Sequence, residues 1–174
     1  NVTAISNEVI VTLNNMAPSI SCPRPIITNT SATTCDILIN EGLAAMYSDP
    51  NDNVVTLTWV MTGATTASSP SDGINNLTSY TFNRGLTTVT YTVTDALGLS
   101  ASCSFTVSVV DNTRPTAICQ DITVTLDINT GIATITVEDI DNGSYDNCAV
   151  ALMTISEDEF NCTDIGLNSV VLTV

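Results

Sequence analysis

Residues 85–111 read GLTTVTYTVTDALGLSASCSFTVSVVD, an alternation of apolar and polar side chains on both sides of Asp95-Ala96-Leu97-Gly98. A period of two places every second side chain on one face of an extended chain, so the stretch predicts two adjacent strands, one face buried, joined by a tight turn. Residues 54–62, VVTLTWVMT, alternate in the same way and put Val55, Leu57, Trp59 and Met61 on one face. Trp59, the only tryptophan, is expected to fill the core. Further strands are expected at 35–39, 77–82, 122–126, 132–137, 150–155 and 170–174. Thr and Val dominate these segments, and none sustains a helical period. Short strands with turn signals between them predict an all-β chain built as immunoglobulin-like β-sandwiches of two sheets.

The pattern repeats. Val9-Ile10-Val11-Thr12-Leu13 runs into Asn14-Asn15-Met16-Ala17-Pro18, and the same layout returns at 106–115. Pro115 follows Pro18 by 97 positions, and Cys119 follows Cys22 by the same 97. A fixed period near a hundred residues with a cysteine in phase predicts tandem modules. Residues 1–15 then form the last strand of a preceding module, or a donated strand, residues 16–111 a full module, and residues 112–174 a second one. Residues 166–174 match 85–93 at an offset of 81, so the second module is expected to lack its last strand. The spare strand at Val9, Ile10, Val11 and Leu13 makes polymerisation by strand donation an alternative architecture. Ser6 falls where Cys103 would be needed, which weighs against it.

Charge narrows the partners. Eighteen acidic residues face Arg24, Arg84 and Arg114, with no Lys and no His, for a formal charge of -15. Such a surface repels nucleic acid and anionic lipid, and no apolar run is long enough to span a bilayer. Six cysteines without a His or a C-x-x-C pair argue against zinc and for disulfides in an oxidising compartment. A cysteine nucleophile would need a base, and none is evident, so no enzyme and no catalytic residue is expected.

The acidic loops carry the one candidate cofactor. Asp49 and Asp52 in DPNDN, and Asp139, Asp141 and Asp146 in DIDNGSYDN, gather hard oxygen donors of the kind calcium takes. Asp, Asn and Gly also simply make turns, and neither loop has EF-hand spacing. A glycosidase pair is not favoured, because the acids lie in turns and aromatics are few. The Asn-x-Ser/Thr sequons at Asn29, Asn76, Asn142 and Asn161 carry little weight in a chain so rich in Asn and Thr.

Phe82-Asn83-Arg84-Gly85-Leu86-Thr87-Thr88-Val89-Thr90-Tyr91-Thr92-Val93-Thr94-Asp95, then Cys103-Ser104-Phe105-Thr106-Val107, then Asp111-Asn112 and Pro115, resemble a hyalin repeat (HYR) module. Cys22-Pro23 opens the resemblance, which is weak across 62–76. The second module, with Asp146-Asn147-Cys148 and Phe160-Asn161-Cys162, is similar to the variant found in very large surface and secreted proteins of bacteria. The resemblance implies an extracellular, repeated, immunoglobulin-like module used in adhesion or as a stalk, and a Cys22–Cys103 disulfide. Val54 departs from it, standing where many bacterial modules have Cys. Cys148 is expected to pair with Cys162 across a shorter loop, Cys119 with a residue of the missing strand, and Cys35 is left as a buried, inert thiol.

The function expected is a structural or adhesive segment of an extracellular repeat protein or surface filament, acting as a stiff, disulfide-braced stalk. Its partners would be neighbouring modules or copies of itself, or a surface receptor or glycan. A sugar- or protein-binding module is the contrasting reading, with only Tyr47, Tyr80 and Tyr145 to offer an aromatic platform.

Overall fold

A computed structural model describes residues 14–174, so the candidate donor strand Val9, Ile10, Val11 and Leu13 lies outside the described residues. Strands dominate: β1 Ser19–Ser21, β2 Ile26–Asn29, β3 Asp36–Ile39, β4 Met46–Ser48, β5 Val54–Gly63, β6 Ala67–Ser68, β7 Tyr80–Asn83, β8 Gly85–Asp95 and β9 Ser100–Val110. After these come β10 Ala133–Thr134, one helical turn α1 Val137–Ile140, β11 Thr154–Ile155, β12 Glu159–Phe160 and β13 Leu172–Thr173. The described residues divide into two compact units, 14–27 with 38–108, and 28–37 with 109–174.

The first unit is built on a sheet ordered β2-β9-β8-β5-β6, with the short ladders β1-β4 and β3-β7 beside it, consistent with an immunoglobulin-like sandwich. The strict alternation of β8 places Thr87, Val89, Tyr91 and Val93 on the inner face, all fully buried. Leu57 and Met61 of β5, Phe82 of β7, and Phe105 and Val107 of β9 complete this core with Leu43 and Leu77. Each such side chain contributes about 1.5–3 kcal/mol by leaving water. Tyr91 adds a polar tie: its hydroxyl donates to the Leu43 carbonyl at 3.0 Å and accepts the Leu77 amide at 3.2 Å, both from loops that would otherwise bury unpaired groups. Gly63 permits the close approach of β5 to the β7–β8 corner; its φ is +101°, and a Cβ there would collide with the Leu86 carbonyl.

Two expectations for β5 are corrected. Val54 pairs with Asp95 and Thr56 with Thr94, so Val55 is an extra residue, a β-bulge, and its side chain turns outward to 48% exposure. Trp59 is only partly buried and packs edge-on against Tyr80, ring centres 5.9 Å apart, rather than filling the core.

The second unit has a small core of Ile135, Ile140 and Leu172, flanked by Val137, Met153, Ile155, Phe160, Val170 and Val174. Its ladders, β10-β12 and β11-β13, are two residues long on each side. The strand expected at 122–126 does not form among the described residues, and those at 132–137, 150–155 and 170–174 shrink to two residues each. Thr136 starts α1 through a reciprocal cap with Asp139, which ends the extended stretch at 132–137 early.

Candidate functional site

The features that set this chain apart chemically are its covalent braces and the oxygen-rich loops beside them. Cys22 is bonded to Cys103 of β9, 81 positions later, with α-carbons 5.7 Å apart. Cys148 is bonded to Cys35, 113 residues away, with α-carbons at 4.5 Å. This corrects two expectations: Cys148 does not pair with Cys162, and Cys35 is no free thiol. The reason lies in residue 147. The Asn147 amide donates to Thr30 Oγ1 at 3.1 Å, the Ser31 carbonyl at 2.8 Å and the Thr34 carbonyl at 3.1 Å, so it holds the 28–37 segment in place and brings Cys35 to Cys148. Cys162 instead sits at the first position of a 3-10 turn, exposed, its sulfur 3.9 Å from the Gly131 carbonyl. Cys119 is also a free, exposed thiol.

The acidic residues are distributed among local turns. Asp49 Oδ1 accepts the Asn51 amide at 2.6 Å, and Asp52 occupies the left-handed region with φ +53°, which the tight turn 49–53 requires. Asp139 Oδ2 is taken by the amide and hydroxyl of Thr136. Asp141 accepts the Gly143 and Ser144 amides, and Asp146 those of Cys148 and Ala149. The Ser144 hydroxyl and amide hold the Asp141 carboxyl below the usual carboxylate range, with a smaller contribution from Gly143, against the opposing effect of burial.

Two places do more than turn the chain. In the first unit, Asp95 is 2% exposed at the start of the β8–β9 turn. Its Oδ1 accepts the Leu97 and Leu99 amides at 2.9 and 2.8 Å, and its Oδ2 the Asn15 side-chain amide at 2.6 Å. Burial pulls its pKa upward, but the hydrogen bonds from Asn15, Leu99, Leu97 and Gly98 together outweigh it and leave the carboxyl below its ordinary value. Asn53 donates to Asn15 Oδ1 at 3.0 Å, and the Met16 amide to Asn51 Oδ1 at 2.8 Å, so Asn15, Asn51, Asn53 and Asp95 form one polar network. Asp49 Oδ2 and Asn53 Oδ1 are buried oxygens without a protein partner. In the second unit, oxygens of Asp111 and Asp146 lie with the Cys148 sulfur within 4.8 Å of one another, and Asn147 Oδ1 is a buried oxygen without a partner. Cys148 is in a disulfide, so the hard donors of that cluster are the two carboxylates. Of the five expected calcium ligands, Asp146 joins this carboxylate pair, and its partner is Asp111 of the Asp111-Asn112 junction. Asp49 is 97 positions before Asp146, so the internal repeat was the signal that links the two loops.

No pairing of nucleophile and base emerges from these contacts, and no helix is long and apolar enough to cross a membrane among the described residues. A search of curated proteins and a search of solved structures each return no match to the chain. HYR domains are extracellular, non-catalytic modules of the adhesion type. The HYR domain family model matches residues 49–109, from the Asp49 turn through β5 to β8 and on to Val109 in β9, so this stretch is similar to an HYR domain.

Proposed function

We propose that the chain is a stiff, disulfide-braced stalk segment of an extracellular repeat protein or surface filament, with residues 16–111 and 112–174 as successive modules and neighbouring modules as its principal partners. The observation that carries this reading is the Cys35–Cys148 disulfide. It pins the 28–37 segment, which the repeat assigns to the first sequence module, to the 109–174 stretch with which it shares a compact unit, in addition to the peptide link. The main chain passes between the two compact units three times, at 27–28, 37–38 and 108–109, where a flexible tether would pass once. Small-angle X-ray scattering from an array of these modules tests it. A cross-section that stays constant while the length grows in proportion to module number supports the stalk, and a radius of gyration scaling as that of a compact globule overturns it.

A divalent cation belongs to the same reading. Among the described residues the unpartnered buried oxygens lie in the two loops related by the 97-residue repeat, and a hard cation at each would satisfy them. Calcium would be held by Asp49 and Asn53 oxygens in one loop and by Asp146 and Asn147 in the other, with the Asp111 carboxylate that lies beside Asp146, bracing both turns.

A further inference from the structure

The two units share one strand pairing, position for position. β11 pairs with β13 through Thr154–Thr173 and Ile155–Leu172, and β5 pairs with β8 through Thr58–Thr92 and Trp59–Tyr91. Thr154 and Ile155 stand 96 positions after Thr58 and Trp59, and Thr173 and Leu172 stand 81 after Thr92 and Tyr91, so the connection between the two strands is 15 residues shorter in the second unit. β12 pairs with β10 as β7 pairs with β3, so that part of the connection is kept. What the second unit lacks is a counterpart of β6 and of the loops beside it.

In the first unit that stretch covers the edge of β5 that faces away from β8. β6 pairs there through Val60–Ser68 and Met61–Ala67. The Ser69 amide donates to the Trp59 carbonyl, the Leu57 amide to the Gly73 carbonyl and the Asn75 amide to the Leu57 carbonyl, each at 2.9 Å. Among the described residues, no strand or bridge meets the corresponding edge of β11, the one facing away from β13. A groove of about 560 Å³ is lined by Ile155 of β11 and by no residue of β13. Ile135, Val137 and Met153 extend its apolar lining, and the exposed Glu138 and Asp158 add two carboxylates. None of its described lining residues is basic. An unpaired strand edge offers backbone donors and acceptors to an extended chain, and an apolar groove beside it takes alternate side chains.

We propose that this edge and groove bind an extended segment of a second protein, apolar at alternate positions and bearing Lys or Arg. Its backbone would pair with β11, its apolar side chains would pack against Met153 and Ile155, and its cations would reach Glu138 and Asp158. Charge selects the partner. This chain carries 18 acidic residues against three Arg and no Lys, so a second copy brings the wrong sign to a groove with two carboxylates.

The probe is a fluorescein-labelled peptide of alternating Lys and Val, added to the full chain with its disulfides intact. Fluorescence anisotropy should show binding that weakens at least about threefold in a Glu138→Gln/Asp158→Asn chain, the size expected from two exposed charge pairs. A peptide of the same charge with Pro in place of its central Val residues should bind at least about tenfold more weakly, because Pro cannot donate to a strand edge. Hydrogen exchange read by mass spectrometry should find peptide-dependent protection at 150–155 and none along β5. No binding, an unchanged affinity in either comparison, or protection only outside 150–155 overturns the proposal. So does protection of 150–155 that grows with protein concentration in the absence of peptide, which would assign the edge to a second copy. The stalk reading is judged by scattering and survives any of these outcomes.

Discussion

Replacing Cys35 and Cys148 together by serine removes one brace and leaves Cys22–Cys103 in place. With that second disulfide intact, the shortest covalent path from Cys35 to Cys148 runs back to Cys22 and on from Cys103, about 58 residues. Closing a loop of that size in the unfolded chain corresponds to about 4 kcal/mol in the chain-entropy model. The core cluster of the second unit centres on Ile135, Ile140 and Leu172, at about 1.5–3 kcal/mol each, so the brace is comparable with a large part of that cluster. Urea unfolding of the Cys35→Ser/Cys148→Ser chain, followed by far-UV circular dichroism, should show a stability loss of about 4 kcal/mol in the transition of the second unit. Trp59 lies in the first unit and reports on that unit separately through its fluorescence. A loss below about 1 kcal/mol would refute the reasoning, since it would mean that the short ladders and the Asn147 hydrogen bonds hold the 28–37 segment unaided.

Tyr91→Phe should cost about 1–3 kcal/mol by urea unfolding monitored at Trp59, because the Leu43 carbonyl and Leu77 amide lose their partner inside the core. Asp95, Asp127 and Asp141 all have folded-state pKa values below their unfolded ones, so they add stability above about pH 4 that disappears as pH falls through the folded values. Thermal melts should therefore fall steeply below pH 4, and Asp95→Asn should flatten that slope while lowering the melting temperature at pH 7. Adding calcium to chelator-treated protein should raise the melting temperature, and Asp49→Asn with Asp146→Asn should abolish the increase; no response in the native chain would remove calcium from the reading.

The long hairpin was legible because alternation over eleven-residue strands fixes both the period and the buried face, and Asp95 and Gly98 mark its turn. Side-chain identity said less wherever one residue altered the register. Val55 has the right position in an alternating run, yet the bulge beside it turns it to solvent. Trp59 is large and apolar, but its ring finds Tyr80 at the sheet surface. In the second unit the same alternation did not produce strands, because a strand needs a hydrogen-bonded neighbour and 121–126 have none among the described residues. The Cys35–Cys148 bond was beyond sequence reasoning altogether. Six cysteines allow fifteen full pairings, and the choice among them depends on Asn147 folding a distant segment against its own loop. The repeat offset that relates Asp49 to Asp146 pointed to the two oxygen-rich loops, while the contribution of Asp111 depends on three-dimensional proximity.

The Cys35–Cys148 bond also decides which residues would feel tension. A pull transmitted from before Cys35 to beyond Cys148 takes the shortest covalent route, straight across that bond, and the 113-residue loop it closes drops out of the force path. The HYR-matched stretch 49–109 lies wholly within the loop, so the hairpin and its core could not be drawn out however hard the chain was stretched. Only reduction would release that hidden length, roughly 390 Å at full extension, which makes the local redox state the control on extensibility.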